Sequence, residues 1–203
     1  MIHIVMPFSR NFLIKQIKNN YRDKDIILHP IQHEDIDWAE DWIQPLFYVD
    51  NKPFDVCYDK LNFFKNVFPI ILEDYYWVTG DDDLIEPEAI EGIKKFDYDV
   101  ICVSLKRGDD VPVIGSICGT GILYAVPSNM RLWYTGLAQI IMKGKIFKET
   151  MYKENTTIGD GEMAVLVKNN YDVHYEPELF VRHNYYQPGR WERLGDKEFY
   201  EGI

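Results

Sequence analysis

Three consecutive aspartates, Asp81, Asp82 and Asp83, follow the aromatic and β-branched run "YYWVT" (75–79) and Gly80, and lead into "LIEP". Carboxylates this close repel one another, and each ionises more readily when a cation lies between them. Hard oxygen ligands favour magnesium, manganese or calcium, and an ion held by one or two carboxylates ordinarily holds a substrate's phosphates as well. A second chemistry fits the same residues: a solvated turn lending negative charge to the N-terminus of a helix that begins at Pro87. An EF-hand loop does not fit, because its acids alternate and a glycine takes the sixth position, whereas "DDDLIEPEAIEG" does neither.

The surrounding elements decide where such a cluster sits. "IHIVM" (2–6), the amphipathic segment 10–21 and "DIILHP" (25–30) read as strand, helix and strand, a βαβ unit whose second strand closes at Pro30. Residues 34–55, rich in acids, prolines and tryptophans, read as an irregular loop, and 54–68 as a helix leading to the strand 75–79. Pro87 opens a helix whose inner face is Ala89, Ile90, Ile93 and Phe96. Beyond it, 99–105 and 121–126 read as strands, 128–144 as a helix capped by Ser128, 157–171 as a helix, and 172–177 with 179–183 as two short strands. The alternation predicts an α/β sandwich with a mostly parallel central sheet flanked by helices. In such sheets ligands bind beyond the carboxyl ends of the strands, where Met6, Gly80 and the aspartates fall.

Composition narrows the partners. A chain of 203 residues with 46% hydrophobic residues is long enough for a sizeable core, and a single domain is expected. The net charge of -11 disfavours extended nucleic-acid binding and attachment to anionic membranes. No run of eighteen apolar residues and no signal-peptide pattern occurs, so a soluble cytoplasmic protein is expected. Cys57, Cys102 and Cys118 have no C-x-x-C spacing and read as small buried hydrophobes. His3, His29, His33 and His174 show no metal-ligand spacing with one another.

"YYWVTGDDDLIEPEAIEGI" resembles the D-x-D region of GT-A-type glycosyltransferases, particularly the family 2-like enzymes and their compact viral or bacterial members. The resemblance implies one GT-A-like (Rossmann-like) domain over 1–203, with a nucleotide-binding part at about 1–105 and an acceptor-side part at about 106–203. It implies transfer of a hexose-type sugar from a UDP- or GDP-sugar to an acceptor hydroxyl, a glycan foremost, with Mn2+ or Mg2+ on the diphosphate. Asp81, Asp82 and Asp83 would then be the D-x-D acids, and His183, at the end of "LFVRH", a further metal ligand. "MPFSRN" resembles the family's nucleotide-binding turn, which places Pro7, Phe8, Ser9 and Arg10 near base and phosphates; Lys60 and Asn62 resemble the basic segment ahead of the acidic strand. Asp81 can also contact the ribose. Gly119 and Gly121 of "CGTGILYAV" resemble the glycines beneath the sugar. In "TIGDGEM" Asp160 takes the place of the general base of inverting members, with Glu162 second.

Each assignment has a plainer counterpart. Arg10, Lys60 and Asn62 also suit a solvated helix face, Gly119 and Gly121 a bend, and Thr157, Asp160 and Glu162 a helix N-terminus. A sugar nucleotidyltransferase is the nearest enzymatic alternative, although "MPFSRN" lacks a long glycine-rich, lysine-containing loop. A non-catalytic carbohydrate- or metal-binding module, with Trp133, Tyr134, Tyr185, Tyr186 and Trp191 as stacking platforms, is the other.

Overall fold

The computed structural model of the chain describes all residues except 23, 33–35, 37, 49–56, 108–121, 131–134, 151–158 and 184–203. β1 (Ile2–Pro7) and β2 (Ile26–Gln32) pair in parallel, from Ile2 opposite Ile26 to Pro7 opposite Ile31. A 3-10 turn (Asn11–Leu13) and α1 (Ile14–Tyr21) form the crossover, so the expected βαβ unit is present. α1 buries Ile17 and Tyr21 against the sheet.

β2 does not close at Pro30 but runs two residues further. Alternate residues of a parallel strand direct their N–H groups to opposite neighbours, and Leu28 N donates to Trp42 O at 3.0 Å on the outer side. Pro30 therefore lacks its donor on that same side. There the ladder is already broken between the bridge Leu28–Ile43 and β3 (Leu46–Phe47), so the proline costs no bond. β3 itself lies within the stretch read as irregular.

The chain continues through α2 (Cys57–Val67), β4 (Tyr75–Val78), β5 (Leu84–Ile85), α3 (Pro87–Ile93), β6 (Val100–Arg107) and β7 (Ile122–Leu123). It then forms β8 (Ile140–Lys143), α4 (Gly144–Glu149), α5 (Gly159–Asn170) and β9 (Val173–His183). Among the described residues the sheet has the order β3-β2-β1-β4-β8-β6-β9-β5, with β7 on β6. β5, β7 and β8 run antiparallel to their neighbours and every other pairing is parallel. Side chains alternate between two cores: Ile4, Trp77, Ile101 and Ile141 join α1 and α3 on one face, while Val5, Tyr76, Val100 and Met142 join α2, α4 and α5 on the other. This is the α/β sandwich with a mostly parallel central sheet that the alternation predicts.

Two assignments are corrected. Residues 128–144 do not form one helix: Ser128 lies in a turn, and Ile140, Ile141 and Met142 form β8 between β4 and β6. A strand buried on both faces reads as a continuous apolar run, which periodicity alone cannot tell from a buried helix. Trp77 fixes the approach to β8 by donating from Nε1 to Ala138 O at 2.7 Å. The two short strands at 172–183 are one strand with a bulge: Val103 faces Glu176 and Ser104 faces Phe180, leaving 177–179 out of register. Pro177 cannot donate to the ladder, and its carbonyl accepts instead from Ser104 Oγ at 2.9 Å.

His3 near the start of β1 and His29 in the middle of β2, buried on one face of the two strands, approach to 2.9 Å (Nδ1 to Nε2). Asp74 joins them, 3.0 Å from His3 Nε2 and 3.1 Å from the terminal ammonium. Burial, and then the neighbouring His3, pushes the His29 imidazole down to about 3. No helix among the described residues is long and apolar enough to cross a membrane.

Candidate functional site

β1 has β2 on one side and β4 on the other, so the sheet reverses its winding between β1 and β4, the point at which sheets of this kind open a ligand crevice beyond the carboxyl ends of the strands. The segments emerging there are Phe8–Arg10 from β1 and Gly80–Asp83 from β4. Thr79 N still donates to Val5 O at 3.1 Å, which keeps the two strand ends side by side as they separate.

Gly80 makes the turn that follows. Its N–H donates to Asp83 Oδ2 at 3.3 Å while Asp83 N donates back to Gly80 O at 3.3 Å. A Cβ at this position would lie 2.9 Å from Asp82 Oδ1 and 3.3 Å from Asp83 Oδ2, so a side chain here would push the carboxylates apart.

The three aspartates, each under a tenth exposed, divide between two sides, Asp81 and Asp82 toward Arg10 and Asp83 toward His183. Asp81 accepts at Oδ2 from Ser9 N (2.7 Å), Ser9 Oγ (3.1 Å) and Arg10 N (3.0 Å), and at Oδ1 from the Arg10 guanidinium. Arg10 Nη1 also lies 3.4 Å from Asp82 Oδ1. Asp83 Oδ1 is 2.9 Å from His183 Nδ1, at the end of β9. The mutual repulsion of the cluster is thus relieved by a guanidinium and two backbone amides on one side and an imidazole on the other.

Lys60, 1% exposed on α2, donates from Nζ to Phe8 O at 2.9 Å and so holds the back of the turn that carries the Ser9 and Arg10 amides. Asn62 is half-buried two positions further on, and residues two apart on a helix face different ways. Pro7 ends β1, and Phe8 is buried edge-on to Trp38 with ring centroids 5.0 Å apart. Glu162 is half-buried in the second turn of α5, and Asp160 belongs to the first turn of the same helix, its side chain lying outside the described part. Gly119, Gly121, Cys118, Trp133, Tyr134, Tyr185, Tyr186 and Trp191 also lie outside the described residues.

Three further residues border the crevice without a sequence motif to announce them. Glu86, the N-cap of α3, meets Arg182 Nε at 2.7 Å and Lys106 Nζ at 2.9 Å, tying β5, β6 and β9 together beside His183. Single acids and bases far apart in sequence carry no such signal, because the pairing of β6 with β9 that brings Lys106 opposite Arg182 is set by the whole sheet.

The donor set can be tested against a divalent metal. Two ligands bound side by side to an octahedral ion at 2.0–2.1 Å stand about 3 Å apart. Asp83 Oδ1 and His183 Nδ1 stand 2.9 Å apart. No group of three or more His, Cys, Asp or Glu among the described residues could hold a metal ion. At 2.9 Å Asp83 and His183 are hydrogen-bonded to each other, and they would hold a magnesium- or manganese-like ion only in company with phosphate and water, since they do not form a closed protein cage.

A doubly flanked, mostly parallel sheet with acids at the end of its fourth strand and a basic turn after its first defines a GT-A-like fold. Solved structures share it. A crystal structure of TarS 1-349 from S. aureus, a glycosyltransferase, superposes with a TM-score of 0.66 at 12% identity, over 89% of this chain and 59% of that one. A second S. aureus TarS structure superposes with a TM-score of 0.57 at 12% identity, over 89% of this chain and 34% of that one. The chain thus spans less than two thirds of the length of either. No protein-family description and no curated protein matches the sequence.

Proposed function

We propose that this chain is a glycosyltransferase that moves a hexose-type sugar from a nucleotide-diphosphate sugar, UDP- or GDP-linked, to an acceptor hydroxyl, with a glycan as the foremost acceptor. One observation carries the reading: in a GT-A-like fold, the Ser9–Arg10 turn closes on Asp81 while Asp83 and His183 converge beside it, all beyond the strand ends.

In this reading Asp81 holds the turn, leaving the Arg10 side chain beside the acids as a cationic group for the donor's phosphates. Asp83 and His183 would hold Mn2+ or Mg2+, which when bound neutralises the charge of the leaving diphosphate. Asp160, in the first turn of α5, acts as general base, and the helix N-terminus favours the ionised carboxylate that role needs. It takes the acceptor hydroxyl proton as that oxygen bonds to the anomeric carbon. The carbon–oxygen bond to the diphosphate breaks, its electron pair leaves with the diphosphate, and the anomeric configuration inverts.

The test is a thermal-shift screen of nucleotide-sugars with and without Mn2+, followed by transfer assays with the responding donor. Stabilisation by a nucleotide-sugar that depends on the metal is expected, together with loss of transfer in Asp160→Asn at nearly unchanged donor affinity. Normal transfer by that variant would remove Asp160 from the role of base, and a product of retained anomeric configuration, read by NMR, would rule out inversion. Release of pyrophosphate from a nucleoside triphosphate would instead mark a nucleotidyltransferase.

A further inference from the structure

β5 is two residues long, Leu84–Ile85, and no strand lies beyond it among the described residues. It pairs antiparallel with β9, Leu84 opposite Arg182 and Ile85 opposite Val181. Glu86 N donates to Phe180 O at 3.2 Å, so the hydrogen-bonded pairs of this ladder fall at alternate positions, Glu86 with Phe180 and Leu84 with Arg182. Counted one step the other way, Asp83 stands opposite His183 in a pair without backbone bonds, the kind in which side chains come closest. The 2.9 Å contact between Asp83 Oδ1 and His183 Nδ1 is therefore set by the register of a very short edge strand.

Ile85 belongs to the same series of pairs, so its N–H points away from β9, to the side where no described strand follows. Ile85 is 1% exposed, and a buried N–H left without a partner is costly. Tyr21, the last residue of α1 and fully buried, meets it: Ile85 N donates to the phenol oxygen at 3.1 Å. Burial pushes that phenol up from its ordinary value, so it stays a neutral group that accepts at its oxygen. Tyr21, Ile85 and Val181 lie in one hydrophobic core, which fixes the ring. A slip of β5 by one residue would turn Asp83 to the other face of the sheet and break the Ile85–Tyr21 bond together.

We infer that Tyr21 is a positioning residue of the candidate site: by holding Ile85 it keeps the β5–β9 register that sets Asp83 against His183. It acts through Asp83 and lies beneath the site, inside the core, rather than in it. The inference rests on the glycosyltransferase reading only for the use made of the pair, which there holds the ion on the donor's diphosphate.

The experiment compares Tyr21→Phe with Tyr75→Phe in the full chain. Each removes one buried phenol oxygen and keeps the ring, but Tyr75, the first residue of β4, donates to Tyr98 O at 2.7 Å, away from the acids. In chains carrying isotope-labelled histidine, the His183 ring signal in NMR is identified by its loss in His183→Ala. It should move toward that of a solvent-exposed imidazole in Tyr21→Phe and stay in place in Tyr75→Phe. Calorimetry with UDP present should give Tyr21→Phe an affinity for Mn2+ about 3- to 10-fold weaker, up to the value of one hydrogen bond, and Tyr75→Phe the wild-type value. A His183 signal unmoved in Tyr21→Phe would overturn the inference, and so would equal displacement in the two variants, which would mark a general loosening. A moved signal with unchanged Mn2+ affinity would uphold the positioning role and count against the metal assignment of the glycosyltransferase reading alone. Hydrogen exchange of the wild-type chain needs no variant: the Ile85 amide should be protected, and exchange as fast as that of an exposed edge amide would also overturn the inference.

Discussion

Arg10 is the residue on which the electrostatics of the acidic cluster turn. Its guanidinium sits against Asp81 and Asp82, so in the nucleotide-free protein it already supplies the positive charge that three adjacent carboxylates call for. A divalent cation must therefore compete with it. Arg10→Gln should raise the affinity for Mn2+ in the absence of nucleotide about 3- to 10-fold, in keeping with a half-exposed ion pair worth ~1 kcal/mol. Electron paramagnetic resonance of free Mn2+ would measure it, and an unchanged affinity would show that the guanidinium leaves the metal position untouched. In the same assay His183→Ala should weaken Mn2+ binding, because it removes one of two converging donors. The types of these residues were legible in sequence: acids at a strand end and an arginine after the first strand both fall at the crevice. Their division of labour was not, because which oxygen faces Ser9, Arg10 or His183 depends on the Gly80 turn and on β9 reaching across to β5.

At the scale of elements, the places where the sequence reads correctly are those with a local signal. Pro87 does open α3, with Glu86 as N-cap and Ala89, Ile90 and Ile93 buried, because a proline at the first helical position and a 3.6-residue apolar period agree. The stretch 128–144 fails for the opposite reason: Ile140, Ile141 and Met142 are apolar on both sides, and their state is fixed by β4 and β6 rather than by their own pattern. Gly144 marks the consequence. Read as a helix end, it is instead the first residue of α4, pressed onto the segment before β4, with its N–H donating to Asp74 O at 2.8 Å. A Cβ there would meet Ile71 O at 2.1 Å and Ile71 C at 2.9 Å, both backbone atoms that cannot swing aside. Gly144→Ala should therefore destabilise the fold by about 1–3 kcal/mol, the usual cost of overpacking. Chemical denaturation would show it as a lower midpoint with an unchanged slope; a midpoint equal to wild type would mean that α4 can slide along the sheet without loss.

Across the whole molecule two ionisable clusters are set apart, the acids and His183 at the carboxyl ends of the strands, and Asp74 and His3 toward the amino ends with His29 reaching them from the middle of β2. From His3 to Phe8 along β1 is roughly 16 Å at the usual rise, and from His29, opposite Val5, to the end of β2 roughly 10 Å, at the limit beyond which separate changes ordinarily act independently. Periodicity puts His3 and His29 on the same face of neighbouring strands, but their contact could not be read from sequence spacing, since it needs the register of the pairing. Burial lowers the His29 pKa to about 3 and also lowers that of His3, so both rings fold as neutral groups while the unfolded chain protonates them near 6.5. The unfolded state therefore binds more protons, and the stability conferred by the neutral rings is complete above pH 6.5 and lost progressively as pH falls from there toward 3. Melting temperature should drop between pH 7.5 and pH 5, by roughly 2–4 °C for each kcal/mol lost. His29→Gln can still donate to His3 Nδ1 but does not titrate, so it should flatten that profile while leaving the Kd for UDP with Mn2+ at pH 7.5 unchanged. A profile as steep in the variant as in the wild type would move the acid sensitivity elsewhere. A changed Kd would show instead that the two clusters are coupled through β1 and β2.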